Sequence, residues 1–382
     1  MAKIFNCNVH SFIKVSQLAI NIIDTKEFQR LRHIKQLGIT SFVYPSATHT
    51  RFEHSLGVYH LTEKVLDRLL CLYPNRNYNT KELGIVKLED DIVKECIKIA
   101  GLCHDIGHGP YSHLFDDIIL KKLNLNLPDH EERSKIIVSN ICHKYTDLNN
   151  DYINFICALI SPDLNIPEHN NALYQIVCNK LNDIDVDKFD YLVRDSKNTG
   201  INISFDYRRL INEFILDSND KIIFPEHCAI DIYEMFHSRY IMHKKIYQHK
   251  TSKIIELLVC DIIVEINDTY GIIEKITMDN FCDFNDYFIY AHPTSLINKL
   301  YTRKLYKLVY YSDKPPEPNI LHNYNLIVVS YGYISSNKNP FNFVYFYNKR
   351  NMTDSHLLDS NNISIMIQNN HIETKYLVID KS

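Results

Sequence analysis

Residues 102–116 of the 382-residue chain read LCHDIGHGPYSHLFD and place His104, Asp105, His108, His113 and Asp116 in one short segment. Three imidazoles and two carboxylates this close are costly to bury unless they pair or ligate. Neutral imidazole and carboxylate are the donors that borderline and hard divalent ions accept, so a metal centre is the chemistry these residue types suggest. A second such stretch is residues 182–200, NDIDVDKFDYLVRDSKNTG. Its Asp183, Asp185 and Asp187 alternate as in a calcium loop, but Lys188 stands where that loop needs Gly and Arg194 where it needs Glu, so an EF-hand is rejected. Read as a helix, the stretch puts Asp187, Tyr191 and Asp195 on one face, and an Asp there suits a fourth ligand better than a core. HEERSKIIVSNICHKY, from His130, is not a zincin motif, because Ser134 occupies the place of the second His.

One divalent ion held by His54, His104, Asp105 and Asp187 would keep positions open for a water and a phosphate oxygen, the arrangement of a metal-assisted hydrolase. His108, His113 and His130 remain beside it; a protonated imidazole among them is suited to donate to a leaving oxygen. Arg51, Lys188 and Arg239 offer charge-assisted contacts to a polyphosphate. Competing templates fail: the chain has no G-x-x-x-x-G-K-[ST], no G-x-G-x-x-G and no G-x-S-x-G.

Helices must position these groups. Ile92, Cys96, Ile97, Ala100 and Leu102 recur at helical spacing and carry His104 and Asp105 to a helix end, where Gly107, Gly109 and Pro110 stop it and leave His108 and His113 on a compact turn. THTRFEHSLGVYHLTEKVLDRLL predicts a helix buried along Leu56, Tyr59, Val65, Leu66 and Leu69, with Arg51, Glu53 and His54 at its start. Asp24 with Glu27 resembles a capping box and Gly38 a C-cap, predicting one helix over residues 24–38 with Gln29, Arg32 and Gln36 off its apolar face. Residues 230–271 are again helical in pattern and carry a basic cluster that includes Arg239, His243, Lys245, Tyr247, His249 and Lys250. After the breaker cluster at residues 314–318, NLIVVSYGY and NFVYFYNKR predict strands joined by a loop around residues 338–340. The expectation is a mainly α protein, with a helical core over residues 1–312 and a smaller α+β lobe over 313–382.

The balance of 42 basic and 46 acidic residues, net −4, gives no case for a protein that coats nucleic acid. No apolar run approaches transmembrane length, and MAKIFNCNVH lacks the apolar core of a signal peptide. Ten scattered cysteines without a C-x-x-C pair read as reduced core thiols. A cytoplasmic protein is expected, with the nucleus not excluded.

The order His54…His104-Asp105…Asp187 resembles the signature of HD-domain phosphohydrolases. FQRLRHIKQLG, TRFEHSLGVYHL, LCHDIGHGPYSHLFD, DVDKFDYLVRDSKNTGI, MFHSRYIMHKKIYQHK and KNPFNFVYFY are similar to the catalytic core of the SAM-and-HD-domain dNTP triphosphohydrolases, from about Lys3 to the C-terminal strands and without the SAM domain. The resemblance implies an HD-domain helical core and conversion of dNTP and water to deoxynucleoside and triphosphate, with water activated by the metal attacking the α-phosphorus. It implies a divalent metal, with the ligands not distinguishing Fe, Mn, Zn and Mg, and a dNTP bound to Mg. It implies metal binding by His54, His104, Asp105 and Asp187, His113 as general acid, and His108, Asp116 and His130 in support. Arg51, His108, Lys188, Tyr191 and Arg239 would contact the triphosphate. Gln36 and Asp195 would hold the 3′ hydroxyl, Leu37 and Tyr247 would fill the space a 2′ hydroxyl needs, and His243 and Gln248 would border the base.

The same resemblance maps a guanine-nucleotide activator site onto Asp24, Gln29 and Arg32, with Lys3, Asn6, Arg303, Leu305 and Lys307 as phosphate and neighbouring-subunit contacts. It thereby favours a GTP-assisted homo-oligomer, a dimer or tetramer. Val43, Arg209, Lys245, His249, Lys250 and Lys338 match a second, dNTP effector site, but Pro225, His227 and Asp231 stand where the family has basic or amide residues, so weaker or altered dNTP activation is expected. Two rival readings stay open: an HD phosphohydrolase for another nucleotide, and a non-catalytic binder of nucleotide or single-stranded nucleic acid, the latter unsupported by net charge.

Overall fold

A computed structural model describes residues 3–318, 324–334, 339–364, 366–367 and 372–382. Helices make up 52% of the chain and the sheets are small, in keeping with the mainly α expectation. The central helices are Arg51–Leu72, Asp91–Cys103, His130–Tyr145, Asn150–Ile160 and Val186–Thr199. Each of the last four starts at an Asp or Asn whose side chain accepts a backbone N–H of the first turn: Asp90, Asp129, Asn149 and Asp185. Val186–Thr199 ends on Gly200 in the left-handed conformation. The apolar faces of these helices merge into a core that runs from Ile13 to Ile379.

The single helix expected over residues 24–38 is broken. Asp24 closes a first helix, Gln17–Ile23, and Thr25 rather than Asp24 caps the short helix Lys26–Gln29, which tightens into a 3-10 turn over Arg30–His33. Ile34 is extended because its backbone oxygen accepts from Arg51 N (3.0 Å), while Gln36 N donates to His49 O (3.0 Å). This pairing turns Gln36 and Leu37 out of any helix. Gly38 then takes φ +50° with Tyr111 O packed where a Cβ would sit, 2.8 Å away.

The pattern over residues 230–271 resolves into Ala229–Met242, a π turn at His243–Tyr247, and Lys250–Tyr270. The two C-terminal strands do form, but in different sheets. Asn325–Gly332 pairs with Ile372–Asp380, which also pairs with Lys307–Ser312. Phe346–Asn348 instead runs parallel to Ile222–Pro225 and antiparallel to Asn351–His356. At the other end, Lys3–Cys7 and Ser11–Val15 form an antiparallel hairpin, with Ile13 and Val15 fully buried. Among the described residues, no helix is long and apolar enough to cross a membrane.

Candidate metal centre and substrate cavity

Three helix ends bring four donors to one point. His54 lies in the first turn of Arg51–Leu72, His104 is the C-cap of Asp91–Cys103, Asp105 follows it, and Asp187 opens Val186–Thr199. His54 Nε2 is 3.3 Å from His104 Nε2, 3.0 Å from Asp187 Oδ1 and 3.4 Å from Asp105 Oδ2. His104 Nε2 is 3.5 Å from Asp105 Oδ1 and 3.4 Å from Asp187 Oδ1. Donors about 2.0–2.2 Å from one ion lie roughly 3.0–3.5 Å from each other, so His54, His104 and Asp105 could hold a shared divalent cation, with Asp187 within 3.4 Å of both imidazoles.

The other ring nitrogens make the same case. His54 Nδ1 meets Asp190 Oδ2 at 2.8 Å and His104 Nδ1 meets Gly101 O at 2.9 Å, so each Nδ1 carries its hydrogen outward and turns an Nε2 lone pair inward. Two lone pairs facing at 3.3 Å repel unless a cation lies between them. Burial would depress His54, yet hydrogen bonds to Asp187 and Asp190 carry it up to about 10; the carboxylates create a field that favours positive charge at this point. Burial would raise Asp105, but Arg51, His104 and His108 outweigh it and hold the carboxyl well below the usual range.

Asp190, Gly57 and Arg194 had no assigned role in the sequence reading and prove central. The fully buried Asp190 carboxylate accepts from Arg194 Nε at 2.8 Å and Arg194 Nη2 at 2.9 Å, besides His54. It fits only because Gly57 faces it: a Cβ there would lie 1.9 Å from Asp190 Oδ1. An unbroken helix with a glycine three residues after a candidate ligand is the signal that marks such a close approach.

Beside the four donors stand His108, His113 and His130. His108 and His130 stack at 4.2 Å, and His113 meets the His108 ring edge-on at 5.1 Å. His108 Nε2 is 3.3 Å from Asp105 Oδ1, and His108 Nδ1 is 3.8 Å from Asp116 Oδ2. Asp116 sits in a π-helical turn and accepts from the buried Arg133 (2.7 Å). Burial, with Arg51 and His130 nearby, lowers His113 to about 3, and burial with Arg51 holds His108 well below its ordinary value. Both rings are therefore neutral at neutral pH in the free protein.

The His113 turn is strained: Tyr111 and Ser112 both have positive φ, 63° and 59°. It is held by Asp286, which accepts from Tyr111 N (2.7 Å) with one oxygen and from Lys35 N (2.8 Å) with the other. Ser112 Oγ donates to Lys35 O and accepts from Arg51 Nε, both 2.8 Å. One distant carboxylate thus ties the Gln36–Leu37 segment to the His113 turn. Burial raises Asp286 to about 6 against these backbone hydrogen bonds.

Ten of the eleven residues expected to touch substrate line one cavity of about 570 Å³: Gln36, Leu37, Arg51, Lys188, Tyr191, Asp195, Arg239, His243, Tyr247 and Gln248; the eleventh, His108, is buried behind His113 and does not line it. Asp187 and His113 line it too, and Asp187 and Lys188 also line an adjoining pocket of about 240 Å³ with His104, Asp105 and His130. Lys188 is held well above its ordinary value because Asp185 and Asp183 outweigh its burial. Asp195 accepts from Tyr247 OH through Oδ2 (2.7 Å) and lies 2.7 Å from His49 Nε2 through Oδ1, which makes His49 a further residue the sequence reading missed. Burial, with Asp195 adjacent, pushes the Tyr247 phenol well above its usual range.

Of the expected effector residues, Lys3 pairs with Asp24, Gln29 Nε2 donates to Ile23 O (2.8 Å), and Arg32 donates to Gln29 Oε1 (2.8 Å) while lying over Phe52. Asn6 is in the adjoining hairpin strand. Arg303 donates to Phe42 O (2.7 Å), Leu305 packs on the core, and Lys307 begins a strand. Tyr44 OH donates to Lys245 O (2.9 Å) and its ring meets His249 at 5.9 Å, which draws the Val43 loop to the Lys245–Lys250 segment. Arg209 is engaged by Asp231 (3.2 Å), and Lys338 lies outside the described residues.

Residues 51–195 match the HD domain and residues 205–321 the HD associated region. The chain is 44% identical to a putative HD domain-containing protein of Acanthamoeba polyphaga mimivirus, over 91% of this chain and 85% of that protein. It is 37% identical to the deoxynucleoside triphosphate triphosphohydrolase SAMHD1 homolog of Dictyostelium discoideum, over 81% of this chain and 60% of the relative. With deoxynucleoside triphosphate triphosphohydrolase SAMHD1 of Bos taurus it shares 31% identity, over 95% of this chain and 72% of the relative.

Proposed function

Because the chain belongs to the SAMHD1 family of HD-domain proteins, we propose that it is a metal-dependent dNTP triphosphohydrolase that releases deoxynucleoside and inorganic triphosphate. The observation that carries this reading is the cationic and aromatic cavity that reaches Asp187, whose carboxylate lies 3.0 Å from His54 and 3.4 Å from His104. When bound by His54, His104, Asp105 and Asp187, a divalent ion (Fe, Mn, Zn or Mg) supplies Lewis-acid chemistry that acidifies water and neutralises phosphoryl charge.

Arg51, Lys188, Tyr191 and Arg239 grip the triphosphate, with Arg51 also fixing Asp105 and Ser112. The neutral His113 gains a proton when phosphate charge enters the cavity, since a nearby anion favours the imidazolium. Its ring N–H then donates to the departing 5′ oxygen. His108 and His130 flank that imidazole, and Arg133 holds Asp116 against His108. Gln36 and Asp195 hold the 3′ hydroxyl. Leu37 and Tyr247 exclude a 2′ hydroxyl, and His243 and Gln248 border the base.

GTP activation through Asp24, Gln29 and Arg32, weakened dNTP activation, assembly as a dimer or tetramer, and a cytoplasmic setting belong to the same proposal. Chromatographic resolution of products from dNTPs and NTPs, with and without GTP, tests it. Release of triphosphate from dNTPs supports the reading, whereas stepwise orthophosphate, or preferred cleavage of NTPs, would replace it with another HD phosphohydrolase. Binding without turnover would make the protein a nucleotide sensor.

A further inference from the structure

The His54 outer partner does not end at Asp190. A carboxylate with no solvent access must have its lone pairs answered by donors. Arg194 supplies two, and the remaining acceptor on Oδ1 is met by His10 Nε2 at 2.6 Å. His10 belongs to the turn between the two N-terminal strands. Its ring is fixed in turn, with Nδ1 3.1 Å from Tyr207 OH and the His60 ring 5.4 Å away. The hairpin that carries it is clasped to the same helix as Asp190: Lys197 Nζ donates to Asn8 O, and Arg194 Nη2 lies 3.6 Å from Cys7 Sγ.

We propose that His10 is a positioning residue for the metal centre, acting through Asp190 on His54, so that hairpin docking and metal affinity reinforce each other. This rests on the reading of His54, His104, Asp105 and Asp187 as metal ligands. The two Nε2 ligands are supported differently. His104 leans on the carbonyl of its own helix, Gly101 O, whereas His54 depends on an arm from a separate element. Loss of His10 leaves Asp190 Oδ1 one donor short beside the open face of Gly57, and the carboxylate and the imidazole it orients lose their fixed angle. Reciprocity follows from linkage: whatever the hairpin adds to metal binding, the metal adds to hairpin docking.

The test titrates metal-stripped full-length protein with Mn²⁺, reading free ion by EPR, and repeats the titration with Zn²⁺. His10→Ala is expected to raise the Kd on the order of 10-fold, the lower end for outer-shell changes. His10→Gln, which keeps an N–H donor toward Asp190, recovers part of that loss, and a merely structural role for the hairpin predicts no such rescue. In the unaltered protein, metal loading slows amide exchange across Asn6–Phe12. That measurement decides the question even if His10→Ala does not fold. Unchanged Kd in folded His10→Ala, or hairpin exchange indifferent to metal, overturns the inference while leaving the metal centre intact. Failure of the unaltered protein to bind either ion instead overturns both.

Discussion

Replacing Gly57 by Ala sets two principles against each other. Helix propensity alone favours Ala in the middle of Arg51–Leu72 by about 1 kcal/mol. The added Cβ, however, would lie 1.9 Å from Asp190 Oδ1, 2.5 Å from Arg194 Nη2 and 2.6 Å from Asp190 Cγ. Ordinary contact begins near 3.4 Å, so the closest pair is short by 1.5 Å (3.4 − 1.9). Neither neighbour is free to swing, because both are fully buried and bonded to each other, and Asp190 also holds His54 and His10. Overpacking of this kind costs about 1–3 kcal/mol, and disrupting a buried charge pair about 3–5 kcal/mol. Partial relaxation of both, less the helix gain, gives a net loss of about 2–4 kcal/mol. Denaturant unfolding of Gly57→Ala measures this directly, and a Mn²⁺ titration should show weakened binding because the His54 orienter has moved. A variant more stable than the parent by roughly 1 kcal/mol, as propensity alone dictates, with unchanged metal affinity, would refute the close-approach argument.

His113→Ala is expected to lower kcat by about 10²–10⁴ while leaving metal content and KM nearly unchanged; a large KM effect with little loss of kcat would reassign it to binding. Tyr247→Ala removes both a wall of the cavity and the donor to Asp195, so the dNTP-to-NTP ratio of kcat/KM should fall on the order of 10-fold. An unchanged ratio would take the discrimination away from this side chain. Stability should decline as pH drops below about 6.5. His113, lowered to about 3, and His108 and His243, held well below the ordinary value by burial with Arg51 and Arg239 respectively, stay neutral in the folded protein while the unfolded chain takes up their protons. Asp286, raised to about 6, opposes this between about 3.8 and 6 because the folded state there holds the extra proton. Burial also lowers His60, His237 and His249, which adds to the loss, and raises Asp117 and Asp185, which adds to the opposition; the histidines outnumber the carboxyls and leave a net loss toward acid, measurable by urea unfolding from pH 7 to 4, and stability that rose over that range would contradict the assignments.

The four candidate donors were legible because they are chemically conspicuous and sit at helix ends that apolar periodicity and glycine breaks mark in the sequence. His104 and Asp105 fall where the spacing of Ile92, Cys96 and Ala100 ends. What periodicity could not carry was tertiary pairing. Residues 24–38 have a helical pattern, yet the backbone of Ile34–Gln36 pairs with His49–Arg51, and that long-range ladder overrides local preference. The supporting partners were hidden for a related reason. Asp190 acts on His54 across 136 positions of sequence, His49 on Asp195 across 146, His10 on Asp190 across 180 and Asp286 on Lys35 across 251, and nothing in their own neighbourhoods distinguishes them from ordinary polar residues. The two C-terminal strands were visible as β-branched and aromatic runs, but sheet membership depends on Ile222–Pro225 and Ile372–Asp380, which lie far from both.

The most direct measurement incubates dNTP with metal-loaded parent and with His104→Ala/Asp105→Ala protein, and follows bound metal and released triphosphate together. The account predicts about one equivalent of ion and triphosphate release in the parent, with both lost in the double variant while the fold persists by circular dichroism. Triphosphate release that survives without those two side chains would contradict it.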